Sequence, residues 1–96
     1  EAHDEDEIKT AIKCGARIIG VNNRNLKDFS VDTENAARLR TIIPKDLLFV
    51  SESGVKDETD VRTIADIGAD AVLIGETMMR AADKNKELQK LKGGLK

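Results

Sequence analysis

The chain has 96 residues, enough for one domain or part of one; 40% are hydrophobic, 35% charged and only 2% aromatic, a mix that excludes a disordered segment. Sixteen basic against 18 acidic side chains leave a net charge of −2 with both signs interspersed, and no Trp or Tyr is present to stack on bases, which argues against nucleic acid as a partner. The longest apolar runs have four residues, far short of the ~20 that a membrane helix needs, so no membrane partner is expected.

The first residue is Glu1 rather than Met, which is expected of a piece of a longer protein. His3 is the sole histidine, which excludes a His-rich metal site, and beside Asp4 and Glu5 it reads as solvated. Asp4 is a helix N-cap, with Glu7 placed to reach back to it. Ile8, Ala11 and Ile12 then share one helical face, and Gly15 supplies the stop. Cys14, the single cysteine, cannot form an internal disulfide; it fits the reducing cytoplasm and reads as a packing residue.

Ile18-Ile19-Gly20-Val21 is the first of three short apolar runs; Leu47-Leu48-Phe49-Val50 and Ala71-Val72-Leu73-Ile74 are the others. None alternates apolar with polar, so each predicts a parallel strand covered on both faces. Asp32 is placed to cap a helix carrying Ala36, Leu39 and Ile43 and ended by Pro44. Asp57 caps a third helix with Val61, Ile64 and Ala65, stopped by Gly68. Asp83 opens a last one with Leu88 and Leu91, and the Gly93-Gly94 tail is expected to fray. The order is α-β-α-β-α-β-α: three parallel strands and four helices. Crossover connections of this kind build either an open doubly wound sheet or a slice of a barrel, and periodicity does not separate the two.

The residues just beyond the three strands are polar: Asn22-Asn23-Arg24, Ser51-Glu52-Ser53-Gly54 and Gly75-Glu76-Thr77. Ligands of parallel α/β proteins bind at the carboxyl ends of the strands, so these residues mark one candidate edge. Gly54 and Gly75 each lie between a strand and a helical stretch, where backbone N–H groups can approach a phosphate or simply make a tight turn. Glu76 to Ala82 could form a short extra helix there. Glu52 closes an apolar strand, where a half-shielded carboxyl can act as acid, base or electrostatic stabiliser, or pair with a cation. Asn22 and Arg24 stand two apart, and Arg24 could grip a phosphate or carboxylate through paired hydrogen bonds, or make a surface ion pair. No G-x-G-x-x-G or Walker pattern is present.

Three segments together carry a more specific signal. Ile19-Gly20-Val21-Asn22-Asn23-Arg24-Asn25-Leu26, Val50-Ser51-Glu52-Ser53-Gly54-Val55 and Ala69-Asp70-Ala71-Val72-Leu73-Ile74-Gly75-Glu76 resemble successive signatures of the indole-3-glycerol-phosphate synthases, and Glu1-Ala2-His3-Asp4 resembles the end of that family's fifth strand. The likeness runs to about Ala82. It implies that residues 1–96 are the C-terminal part of one (β/α)₈ TIM-barrel domain, from the end of strand five through helix eight. The implied reaction is the decarboxylating, dehydrating ring closure of 1-(2-carboxyphenylamino)-1-deoxyribulose 5-phosphate to indole-3-glycerol phosphate, in tryptophan biosynthesis. No cofactor or metal is implied.

Carried over by position, the resemblance makes Glu1 and Glu52 catalytic carboxylates. Asn22, Arg24, Ser53 and Leu73 become substrate-binding, and Gly54, Gly75 and Glu76 phosphate-binding. Glu76 cannot donate a side-chain hydrogen bond while ionised, so its backbone N–H is the expected donor. The family's general-acid lysine lies on an early strand outside this chain, and neither Lys27, Lys45 nor Lys56 stands in its place. The expected partners are therefore a phosphorylated small molecule and the missing N-terminal half of the barrel, with self-association if that half is lacking. Two alternatives remain: another phosphate-binding barrel enzyme, such as phosphoribosylanthranilate isomerase or a thiazole-forming enzyme, and a non-catalytic phosphate-binding half-barrel.

Overall fold

A computed structural model describes residues 1–32 and 34–95. The elements in chain order are α1 (Glu5–Lys13), β1 (Ile18–Asn22), α2 (Asn35–Arg40), β2 (Leu48–Glu52), α3 (Glu58–Asp66), β3 (Ala71–Leu73), α4 (Glu76–Arg80) and α5 (Lys84–Lys92), closed by a 3₁₀ turn, Gly93–Leu95. The three strands form one parallel sheet in the order β1-β2-β3. The described residues hold five α-helices: the four expected and, as α4, the short extra helix anticipated between Glu76 and Ala82 before Asp83 starts the last one.

Local chemistry sets most helix ends. Asp4, Asp57 and Asp83 each accept the backbone N–H three residues on, from Glu7, Asp60 and Lys86. Glu7 reaches back as expected, but to the His3 N–H at 2.7 Å rather than to Asp4. Gly15 and Gly68 follow α1 and α3 with φ of +82° and +89°, the left-handed stop that favours glycine. Asp32 departs from its expected role. Its carboxylate accepts from Glu34 N and pairs with Arg38, while α2 starts at Asn35, capped by Glu34 with no side-chain bond. That helix ends at Arg40, ahead of Pro44, where the Arg40 guanidinium takes up the Ile43 and Ile67 carbonyls.

Three further expectations are corrected. Cys14 is exposed, because it lies six residues beyond Ile8 and turns away from the face that Ile8 buries. His3 is half-buried, its Nδ1 donating to the Asn22 carbonyl at 2.7 Å. The Gly93-Gly94 tail does not fray: it winds into the 3₁₀ turn and seats buried Gly94 on α3, where a Cβ would come within 2.3 Å of the Glu58 carbonyl.

Side chains alternate between the two faces of the sheet. Ile19, Val21 and Phe49 point to the helices and form the main core with Ile8, Ala36, Leu39 and Ile43. Val55, Val61, Ile64 and Leu91 form a second cluster, under α3 and α5. The opposite face is open: Ile18, Leu48 and Leu73 are 60%, 51% and 58% exposed. The unbroken apolar runs predict cover on both faces. Among the described residues only one face is covered, because α1 and α2 pack on the side of Ile19 and Phe49 and no helix lies over Ile18, Leu48 and Leu73. No helix among the described residues is long and apolar enough to cross a membrane.

Candidate active site

Ahead of α1, Ala2 makes a parallel bridge with Val21, donating to the Gly20 carbonyl at 2.7 Å and accepting from Asn22 N at 2.8 Å. The first residues thus run alongside β1 like the end of another parallel strand, and Glu1 lies beside the carboxyl end of the sheet. Asn22 is nearly buried there. Its amide donates to Glu1 Oε1 at 3.1 Å, and its side-chain oxygen accepts from Arg24 N at 2.9 Å. Glu52 stands in register with Asn22 on the neighbouring strand and is only 7% exposed.

Glu1 and Glu52 lie close enough to perturb each other's ionisation. Burial first, and then the adjacent carboxyl and negative charge of Glu1, push the Glu52 carboxyl up to about 7. The Asn22 amide, followed by the Glu52 carboxyl, holds Glu1 below the usual carboxylate range. Two adjacent carboxyls cannot both ionise cheaply, so the pair shares one proton, which resides on Glu52. Such a pair offers a donor and an acceptor side by side near neutral pH.

Beyond β2 the chain turns through Ser53 and Gly54 at φ of 69° and 85°. Asn23, buried behind this turn, fixes it: its amide donates to the Ser53 carbonyl at 3.1 Å while its oxygen accepts from Ala36 N. Gly75 is the N-cap of α4, and among the described residues nothing lies within 4 Å of where its Cβ would be. Thr77 Oγ1 donates to the Val55 carbonyl, tying α4 to the turn after β2. Arg24 lies past the end of β1, and its guanidinium pairs with Glu76 at 2.8 Å. Glu76 also pairs with Arg80 at 3.0 Å, and these cations, Arg24 foremost, hold its carboxyl below the usual range. The Arg24 Nε is buried without a hydrogen-bond partner among the described residues.

The residues named from sequence, namely Glu1, Asn22, Arg24, Glu52, Ser53, Gly54, Leu73, Gly75 and Glu76, all line one cleft of about 980 Å³. That volume is at the upper end for small-molecule sites. The cleft has a carboxyl end, with Glu1, Asn22 and Glu52, and a basic end where Arg24, Lys56 and Arg80 surround the glycine turns. Sequence reasoning missed Lys56 and Arg80 on its wall, and placed Thr77 at the candidate edge without giving it a role. It also missed the supports behind it: Asn23, Asn35, which donates to the His3 carbonyl at 2.8 Å, and Gly20. The Asn22-Asn23 doublet directly after an apolar strand was the available signal for Asn23; Gly20 was hidden inside its apolar run.

A family model described as indole-3-glycerol phosphate synthase matches residues 1–91. The indole-3-glycerol phosphate synthase of Leuconostoc mesenteroides subsp. mesenteroides is 59% identical over 93 residues, covering 97% of this chain and 36% of the relative. That of Ruminiclostridium cellulolyticum is 58% identical over the same span, again covering 97% and 36%. The chain therefore spans little more than a third of the length of these relatives. In fold alone it resembles a chain of the Amycolatopsis orientalis BexX/CysO complex, with a TM-score of 0.76 at 16% identity, covering 97% of this chain and 38% of that one. With three signature segments in place and the match running from the first residue to Leu91, the chain belongs to the indole-3-glycerol phosphate synthase family.

Proposed function

We propose that residues 1–96 are the C-terminal part of one (β/α)₈ barrel domain and form one wall of its active site. The complete enzyme closes the indole ring of 1-(2-carboxyphenylamino)-1-deoxyribulose 5-phosphate with loss of carbon dioxide and water. The observation that carries this reading is the convergence of Glu1, Asn22 and Glu52, with Asn22 donating to Glu1 and in register with Glu52, at one end of a cleft whose other end holds Arg24, Lys56, Arg80 and the glycine turns.

Substrate phosphate binds at that basic end, against backbone N–H groups near Gly54, Gly75 and Glu76, with Arg24 beside them. Leu73, exposed on the open face, packs against the substrate's ring, and Ser53 borders it. The Glu1–Glu52 pair then serves the dehydration: one carboxyl carries a proton to the departing hydroxyl while its ionised partner balances positive charge or accepts a proton. Protonation of the ketose carbonyl falls to a lysine on the upstream strands, which this chain requires as its partner. The lone, exposed Cys14 fits work in the reducing cytoplasm.

In the complete enzyme, Glu52→Gln and Glu1→Gln each lower kcat by about 10²-fold, because an amide can neither deliver a proton as the Glu52 carboxyl does nor accept one or balance charge as ionised Glu1 does. A variant that retains full kcat removes that residue from the mechanism.

A further inference from the structure

Gly20 lies in the middle of β1, on the open face of the sheet, flanked there by Ile18 and Asn22. Glu52, on the adjacent strand, stands one step diagonally from it, since Gly20 is in register with Val50 and Glu52 with Asn22. The Glu52 side chain folds back over this gap. A Cβ built on Gly20 would fall 2.0 Å from Glu52 Oε2, 3.1 Å from its Cδ and 3.8 Å from its Cγ, and these are its three nearest neighbours. Glycine inside a strand loses packing and conformational entropy, and it often marks a close approach by another group. Here the approaching group is a carboxyl.

We propose that Gly20 is a positioning residue for Glu52: its missing side chain is the notch in which the carboxyl lies flat on the sheet, within reach of Glu1. This rests on the reading of Glu52 as a reacting group, but the placement itself is testable separately. Any side chain at position 20 drives the carboxyl off the sheet by roughly an ångström or more, since non-bonded atoms settle at ~3.5–4.0 Å. The atoms that must move are the free end of a flexible side chain. The strand ladder is untouched, so the fold tolerates the change while the seating of the Glu52 carboxyl beside Glu1 does not. Moving outward also returns the carboxyl to water, which removes the burial that raises its proton affinity.

The test is Gly20→Ala in the complete enzyme, read by the carboxyl titration of Glu52 (carbon-13 NMR on labelled glutamate, assigned by its loss in Glu52→Gln) and by kinetics. The expected result is an unchanged thermal midpoint, a Glu52 titration moved down from about 7 toward the ordinary carboxylate range, and a kcat about 10²-fold lower with KM little changed. Adding Gly20→Ala to Glu52→Gln should lower kcat no further, because Gly20 acts only through that carboxyl. An unmoved titration midpoint, or a second full loss of kcat in the double variant, overturns the proposal. If the midpoint moves but neither Glu52→Gln nor Gly20→Ala alters kcat, the positioning stands and the catalytic role of Glu52 falls.

Discussion

Among the described residues, Glu52 is the carboxyl displaced furthest from its ordinary proton affinity. Its carboxyl takes up a proton near pH 7 when folded, against an ordinary value of 4.5. Between those values the folded state holds a proton that the unfolded chain releases, so stability must fall as pH rises across the window. The complete enzyme should therefore show its unfolding midpoint declining from pH 4.5 to pH 7, and Glu52→Gln should flatten that decline. An identical slope in the variant would mean that the proton is held elsewhere. Nine of the residues that line the cleft were named from sequence: seven because polar residues or glycines directly follow apolar runs, and Glu1 and Leu73 only through the family resemblance. Gly20, Asn23 and His3 were not, for a different reason in each case. Gly20 acts by an absence that only Glu52 reveals. Asn23 bridges segments far apart in sequence, and His3 finds its partner in a carbonyl 19 residues away.

Among the elements, helix starts that depend on a bond three residues along were readable, as Asp4, Asp57 and Asp83 demonstrate. Asp32 has the same residue type but closes a turn to Glu34, two residues on, and spends its other oxygen on Arg38, so composition alone misassigns it. The terminal glycines show the converse. Two adjacent glycines predict a loose end, yet Gly94 allows the last turn to approach the backbone of α3. Gly94→Ala should therefore destabilise the domain by about 1–3 kcal/mol, the usual cost of overpacking, since a Cβ there meets a carbonyl oxygen rather than a yielding side chain. Chemical denaturation measures this directly. An unchanged midpoint would show that α5 and its 3₁₀ turn are not docked as described.

For the whole molecule, the decisive feature is that the sheet has one dressed face and one bare one. Each of Ile18, Leu48 and Leu73 forfeits a good part of the ~1.5–3 kcal/mol that burial of such a side chain brings, and domains are stable by only about 5–15 kcal/mol in total. The chain alone should consequently self-associate or remain molten, and should show no ring closure. Adding the upstream strands should restore cooperative unfolding and turnover. Sedimentation of the isolated chain as a soluble monomer with cooperative unfolding would defeat the stability part, and turnover by that monomer the rest. The apolar runs by themselves suggest strands covered on both faces, because hydrophobic runs record burial and not who provides it; only the family resemblance led to the expectation that one face would stand open in this stretch.

The bare face is also the face on which Glu1, Glu52 and Leu73 are gathered. Joining of the two parts and completion of the catalytic pocket are thus a single thermodynamic event in the proposed barrel. A compound that spans the cleft and touches the upstream strands would act as molecular glue as well as an inhibitor. Present at a hundred times its Kd, it would favour the closed form by about 2.7 kcal/mol. For a variant weakened far from the cleft, such a compound would serve as a chaperone: the ligand that blocks turnover would rescue the fold.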